Sequence, residues 1–114
     1  MPSNIFNFEN IKSIDADEFE RLLEEGYKII DVRTKAENRS ARIENSILVD
    51  IYSPDFKKVI EKLDKEENYL IYCNSGNRSK TACDFLSKWG FKNVLNLTGG
   101  IISWVNAGKE VLQN

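Results

Sequence analysis

The stretch Tyr69–Trp89, YLIYCNSGNRSKTACDFLSKW, constrains this chain's fold more than any other. Its first four residues, Tyr69-Leu70-Ile71-Tyr72, have the length and composition of a buried strand. The run stops at Cys73, and a turn of small residues, Asn74-Ser75-Gly76-Asn77, follows. Arg78 and Ser79 then open a segment with Ala82, Phe85, Leu86 and Trp89 at helical spacing. The order is strand, tight loop, helix, with a thiol where the strand ends. Open parallel sheets place their binding crevices outside the carboxyl ends of strands, where loop amides and the positive end of a helix dipole converge. A cysteine held there, with Arg78 five residues on, should be biased toward thiolate and reads as a nucleophile. The competing reading is a buried structural cysteine, since free cysteines are commonly buried.

Composition narrows the chemistry. The 114 residues suit a single domain able to bury its own core. A net charge of −2 and a pI near 5.2 give no reason to expect nucleic acid or an anionic membrane as partner. The opening MPSNIFNFENIKS has no basic region followed by an apolar core, and no apolar run reaches the length of a membrane span. Two cysteines without a leader read as reduced thiols in the cytoplasm, not as a disulfide framework. The chain has no histidine. That removes Cys-His and Ser-His pairs and argues against a zinc site, so no metal and no cofactor is expected. Activation of Cys73 must then come from loop amides, the helix end and nearby cations.

Taken in order, residues 1–10 read as a partly ordered arm. Ile11–Ile14 reads as a first strand, and Asp15 with Glu18 as a capping box for a helix carrying Phe19, Leu22 and Leu23. Gly26 is placed to stop that helix. Tyr27–Val32 reads as a second strand, Lys35–Arg39 as a short helix and Ser46–Val49 as a third strand. Pro54 suits a first helical turn, with Phe56, Val59, Ile60 and Leu63 on one face of the helix that follows. Beyond the organising segment, Gly90 ends its helix and Val94–Leu97 reads as a fifth strand. Gly99-Gly100 breaks the chain before a last helix with Ile101, Ile102, Trp104 and Val105. Strands alternating with helices predict an α/β domain, a five-stranded, mainly parallel sheet with helices on both faces.

Cys73-Asn74-Ser75-Gly76-Asn77-Arg78-Ser79 resembles the active-site loop of single-domain rhodaneses, the thiosulfate sulfurtransferases. Ile30-Asp31-Val32-Arg33, with Glu37 downstream, looks like the family's early Asp-Val-Arg segment. Gly90-Phe91, Asn93-Val94, Leu97 and Gly99-Gly100-Ile101 through Trp104 look like its closing segment. One departure stands out: Ala41-Arg42-Ile43 replaces the family's usual Gly-His-Ile. The resemblance implies the rhodanese fold and a sulfurtransferase. Cys73 would carry sulfur from a small donor such as thiosulfate to cyanide, a small thiol or a protein thiol. The amides of Asn74, Ser75, Gly76, Asn77, Arg78 and Ser79 would form an anion cradle.

Several roles stay open at this level. Arg78 suits either an anionic donor or a structural pair with Asp31 or Glu37. Asp31, Arg33 and Glu37 read as loop supports before catalysts. Arg42 suits a substrate charge or an ordinary surface position. Cys83 falls beside Ala82, Leu86 and Trp89, ten residues and a helical rise of more than ~10 Å beyond Cys73, which suits core better than a resolving thiol. Two rival functions remain: a cysteine phosphatase or arsenate reductase, and a catalytically idle rhodanese-like module that docks proteins. The loop spans six residues from Cys73 to Arg78, one fewer than the related Cys-x5-Arg phosphatases.

Overall fold

A computed structural model describes residues 11–114; the expected arm lies outside them. The strands are β1 (Lys12–Ile14), β2 (Lys28–Asp31), β3 (Ile47–Leu48), β4 (Asn68–Tyr72) and β5 (Asn93–Leu97). The helices are α1 (Ala16–Glu24), α2 (Lys35–Ser40), α3 (Phe56–Ile60), α4 (Asn77–Lys88) and α5 (Gly100–Asn106). The sheet order is β1-β5-β4-β2-β3 with every neighbouring pair parallel, so β4 is central. The chain leaves β2 toward the β3 edge and leaves β4 toward β5. The ends of β2 and β4 therefore flank the point where the winding reverses, where sheets of this kind leave a crevice.

The period-two alternation of the strands divides two cores. Ile30, Val32, Tyr69, Ile71 and Cys73 pack with Phe56 and Ile60 of α3 and Ala82, Cys83 and Leu86 of α4. Ile29, Leu70, Tyr72, Leu95 and Leu97 pack with Phe19 and Leu22 of α1 and Ile101 and Trp104 of α5. Burying each such large side chain contributes about 1.5–3 kcal/mol. Helices thus cover both faces. α2 buries none of its residues and sits at the rim of the crevice.

The expected elements are present, with local corrections. At α1 the capping is one-sided: Asp15 Oδ1 accepts the Glu18 amide at 2.9 Å, while the Glu18 carboxylate binds Arg21. The reciprocal box lies at Thr34 and Glu37 of α2. α3 ends at Ile60 because the chain tightens there into i→i−3 bonds, Lys62 N to Val59 O and Leu63 N to Ile60 O. Leu63 still packs against the core, whereas Val59 is exposed. Pro54 precedes the α3 N-cap, Asp55, and so lies outside the first turn. Ser46 and Val49 fall outside β3. Among the described residues, no helix is long and apolar enough to cross a membrane.

Candidate active site

Cys73 follows the last residue of β4 and is almost fully buried. Its Sγ accepts the Gly76 amide at 3.1 Å and the Ser79 amide at 3.4 Å, and lies 3.3 Å from Ser79 Oγ. Gly76 is the N-cap of α4 with φ of 104°, a left-handed turn that glycine adopts without penalty. That turn brings the chain back over the sulfur. Ser79 is the third residue of α4, so its N–H is one of the helix's unpaired donors. Two backbone donors therefore converge on one sulfur atom. The loop carbonyls are held from below: Cys73 O accepts the Ile101 amide at 2.9 Å and Asn74 O the Ile102 amide at 3.2 Å. Only glycine fits at Gly100, where φ is +61° and a Cβ would lie 2.2 Å from Asn74 O.

Two acid–arginine pairs flank this loop. Asp31 and Arg33, both buried, pair through Arg33 Nη2 and Asp31 Oδ2 at 2.9 Å, with Nε reaching Oδ1 at 3.0 Å. The remaining lone pairs of Asp31 take the Arg33 amide, Asn38 Nδ2 and the Tyr72 hydroxyl. Arg33 Nη1 then reaches across to Asn74 Oδ1 of the loop at 3.0 Å, and its Nη2 also donates to Ala41 O. Burial, and next the Asp31 charge, push the Tyr72 phenol up to about 12, so it stays protonated as the donor to Asp31.

The second pair is Arg78 with Glu37. Arg78 donates from both terminal nitrogens to the two oxygens of Glu37, each at 2.8 Å. Glu37 Oε1 also accepts the Thr34 amide, so one carboxylate both caps α2 and holds Arg78. The Arg78 hydrogen bond, assisted by Thr34, holds the Glu37 carboxyl down to about 2. Arg78 is shifted upward, mainly by the same hydrogen bond and to a lesser extent by Cys73. Of the two structural partners open to Arg78 in the sequence, the fold supplies Glu37. Tyr52, an exposed ring 5.9 Å from the Arg78 guanidinium, stands beside it.

The remaining sequence candidates separate cleanly. Asn74 meets Arg33; Ser75 and Asn77 are exposed on the loop. Arg42 is bridged to the carboxyl-terminal segment, pairing in backbone with Leu112 and in side chain with Asn114. In the departing segment Ala41-Arg42-Ile43, the Ile43 amide donates to the Tyr72 hydroxyl. Cys83 is buried in the apolar core and is free, as is Cys73. Burial first, and then the neighbouring Cys73, push the Cys83 thiol up. Sequence reasoning passed over Asn96, Ser13, Asn38 and the Tyr72 hydroxyl. The buried Asn96 had a signal: it is the polar residue inside the run Val94–Leu97.

Fold and loop together define a parallel α/β domain that seats a cysteine sulfur on its own backbone amides at the switch point. A family model described as Rhodanese-like domain matches residues 15–107, and the chain belongs to that family. A protein named sulfurtransferase from Allochromatium vinosum is 31% identical, the alignment covering 90% of this chain and 95% of that one. Rhodanese-like domain-containing protein 17 of Arabidopsis thaliana is 34% identical over 82% of this chain and 68% of its own length. The crystal structure of a rhodanese-related protein from Thermoplasma volcanium superposes with a TM-score of 0.82 at 32% identity, covering 90% of this chain and 99% of that one. Sulfur transfer is thus an activity named within the family.

Proposed function

We propose that the protein is a cytoplasmic sulfurtransferase that carries a sulfane sulfur on Cys73. The Cys73 thiolate attacks the outer sulfur of a donor such as thiosulfate. The donor's S–S bond breaks, sulfite leaves with the electron pair, and Cys73 holds a persulfide. Cyanide, a small thiol or a protein thiol then attacks the outer sulfur and returns the thiolate. Neither step draws on a cofactor. The observation that carries this reading is the convergence of the Gly76 and Ser79 amides on a single sulfur atom. Donors so aimed stabilise charge on the thiolate and on the departing thiolate of the second step. Asp31 and Arg33 support the loop through Asn74, and Glu37 supports it through Arg78.

The electrostatics weigh against a phosphatase. The loop itself contains no acid, but the fold brings Glu37 to Arg78. A carboxyl held down to about 2 cannot protonate a leaving alcohol at neutral pH. The same pair occupies the guanidinium that a phosphoryl group would need. Thiosulfate:cyanide transfer and aryl phosphate hydrolysis measured on one preparation test the proposal. Sulfur transfer with negligible phosphate release is expected. Inserting one residue between Gly76 and Arg78 should weaken the transfer. Phosphatase turnover by the native loop without sulfur transfer would overturn the reading, and no turnover of either kind would favour a docking module.

A further inference from the structure

A chain of polar side chains runs from the Cys73 sulfur to the sheet edge. Ser79 Oγ lies 3.3 Å from Sγ and donates its proton to Asn96 Oδ1, and Asn96 Nδ2 donates to Ser13 Oγ at 3.0 Å. Ser79 and Asn96 are fully buried, while Ser13, on the edge strand β1, is exposed. In this arrangement the single Ser79 proton is committed to Asn96, so Ser79 offers the sulfur only a lone pair. A thiol can donate to that lone pair. A thiolate or persulfide anion cannot, and needs the hydroxyl proton instead. Rotating the Asn96 carboxamide by half a turn reverses the chain. Nδ2 would then donate to Ser79 Oγ, Oδ1 would accept the Ser13 hydroxyl or water, and the Ser79 proton would turn to sulfur. In either direction Ser79 Oγ and both polar side-chain atoms of Asn96 keep a partner, and the exposed end at Ser13 makes the reversal cheap.

We infer that Asn96 is a positioning residue that sets the direction of the Ser79 hydroxyl, away from Cys73 as a thiol and toward it as an anion. The inference rests on Cys73 being the reacting thiol but not on its donor. Among the described residues, the charged and titratable groups that share the loop are Arg78, paired to Glu37 and beside Tyr52, Cys83 from α4, and the Asp31–Arg33 pair reaching Asn74 from the end of β2. β5 and α5 contribute the uncharged Asn96, Leu97, Gly100 and Ile101. Among the described residues, Asn96 is thus a group that can reverse its hydrogen bonding beside the sulfur without changing its own charge.

The test is the pH profile of Cys73 alkylation by iodoacetamide, which requires no sulfur transfer. Ser79→Ala should slow alkylation at neutral pH by about tenfold, the effect of losing one hydrogen bond to a charged atom. Asn96→Leu should move the midpoint of the profile in the native background and leave it unmoved in Ser79→Ala. An equal shift in both backgrounds, or none in either, would overturn the inference. Should Asn96→Leu fail to fold, the unmodified protein decides. The Asn96 side-chain amide resonances should move with the same midpoint as Cys73 alkylation, and silence across that range would refute the reversal. Failure of the sulfur-transfer reading is distinct: the profile would stand while thiosulfate left Cys73 unloaded.

Discussion

Cys73 and Cys83 are both buried, both free and both packed in one core cluster, yet their surroundings prepare them for opposite fates. Cys73 follows the end of β4, and two backbone amides point at its sulfur, with the Ser79 hydroxyl oxygen 3.3 Å away. Cys83 sits less than two turns along α4 among Ala82 and Leu86, where burial pushes its thiol up and favours the neutral form. Burial alone makes a cysteine inert; donors aimed at the sulfur make it usable. The cost of aiming them is borne by the ring of contacts that holds the loop, and that ring is where the contrast can be broken.

The largest effect should come from Asp31→Ala. It leaves the Arg33 guanidinium buried beside an unfilled acceptor site and releases its grip on Asn74. A loss of about 3–5 kcal/mol in chemical denaturation is expected, together with loss of the cradle around Cys73. A stability change under about 1 kcal/mol would mean that the pair does not anchor the loop. Gly100→Ala ranks next. The new Cβ meets backbone oxygen at Asn74 and the residue must keep a positive φ. About 2–3 kcal/mol should be lost, with thiosulfate transfer falling more steeply than stability because the clash moves the carbonyls of Cys73 and Asn74. A variant with unchanged transfer would show that the loop tolerates displacement.

The smallest of these effects is pH-dependent and concerns the Arg78–Glu37 pair. Glu37 titrates near 2 in the folded protein against an ordinary value of 4.5. A carboxyl depressed by folding contributes stability above its unfolded value, and that contribution is lost as pH falls through the folded one. The window therefore runs from about pH 4.5 down to about 2. Both side chains retain roughly a quarter of their exposure, so solvent screening reduces the contribution to about 1–2 kcal/mol. Glu37→Gln should flatten the acid limb of a stability–pH curve in that window. An unchanged limb would show that the pair contributes nothing to folding.

The fold was legible where its signals are local. The apolar run before Cys73, the small-residue turn and the 3.6-residue spacing after it located β4, the loop and α4 to within a residue or two. The apolar period runs past the end of α3, because Leu63 keeps the helical spacing even after the backbone tightens at Ile60. The site was legible only in part. Tyr72 meets Asp31, and Arg78 meets Glu37, each across 41 residues of chain, and no periodicity encodes such a meeting. Glu37 entered through family resemblance, not through its neighbours. Asp15 and Glu18 carry the same capping signature as Thr34 and Glu37, but Arg21 one turn on captures Glu18. Strand order was also beyond reach. It decides that β2 and β4 lie side by side, and with that which side chains meet at Cys73.

Sulfur should ride on Cys73 and nowhere else. Intact-protein mass spectrometry after thiosulfate treatment, followed by peptide mapping, tests it directly. One added sulfur atom is expected on the native protein and on Cys83→Ala, and none on Cys73→Ser. A persulfide mapped to Cys83, or full loading of Cys73→Ser, would contradict the account.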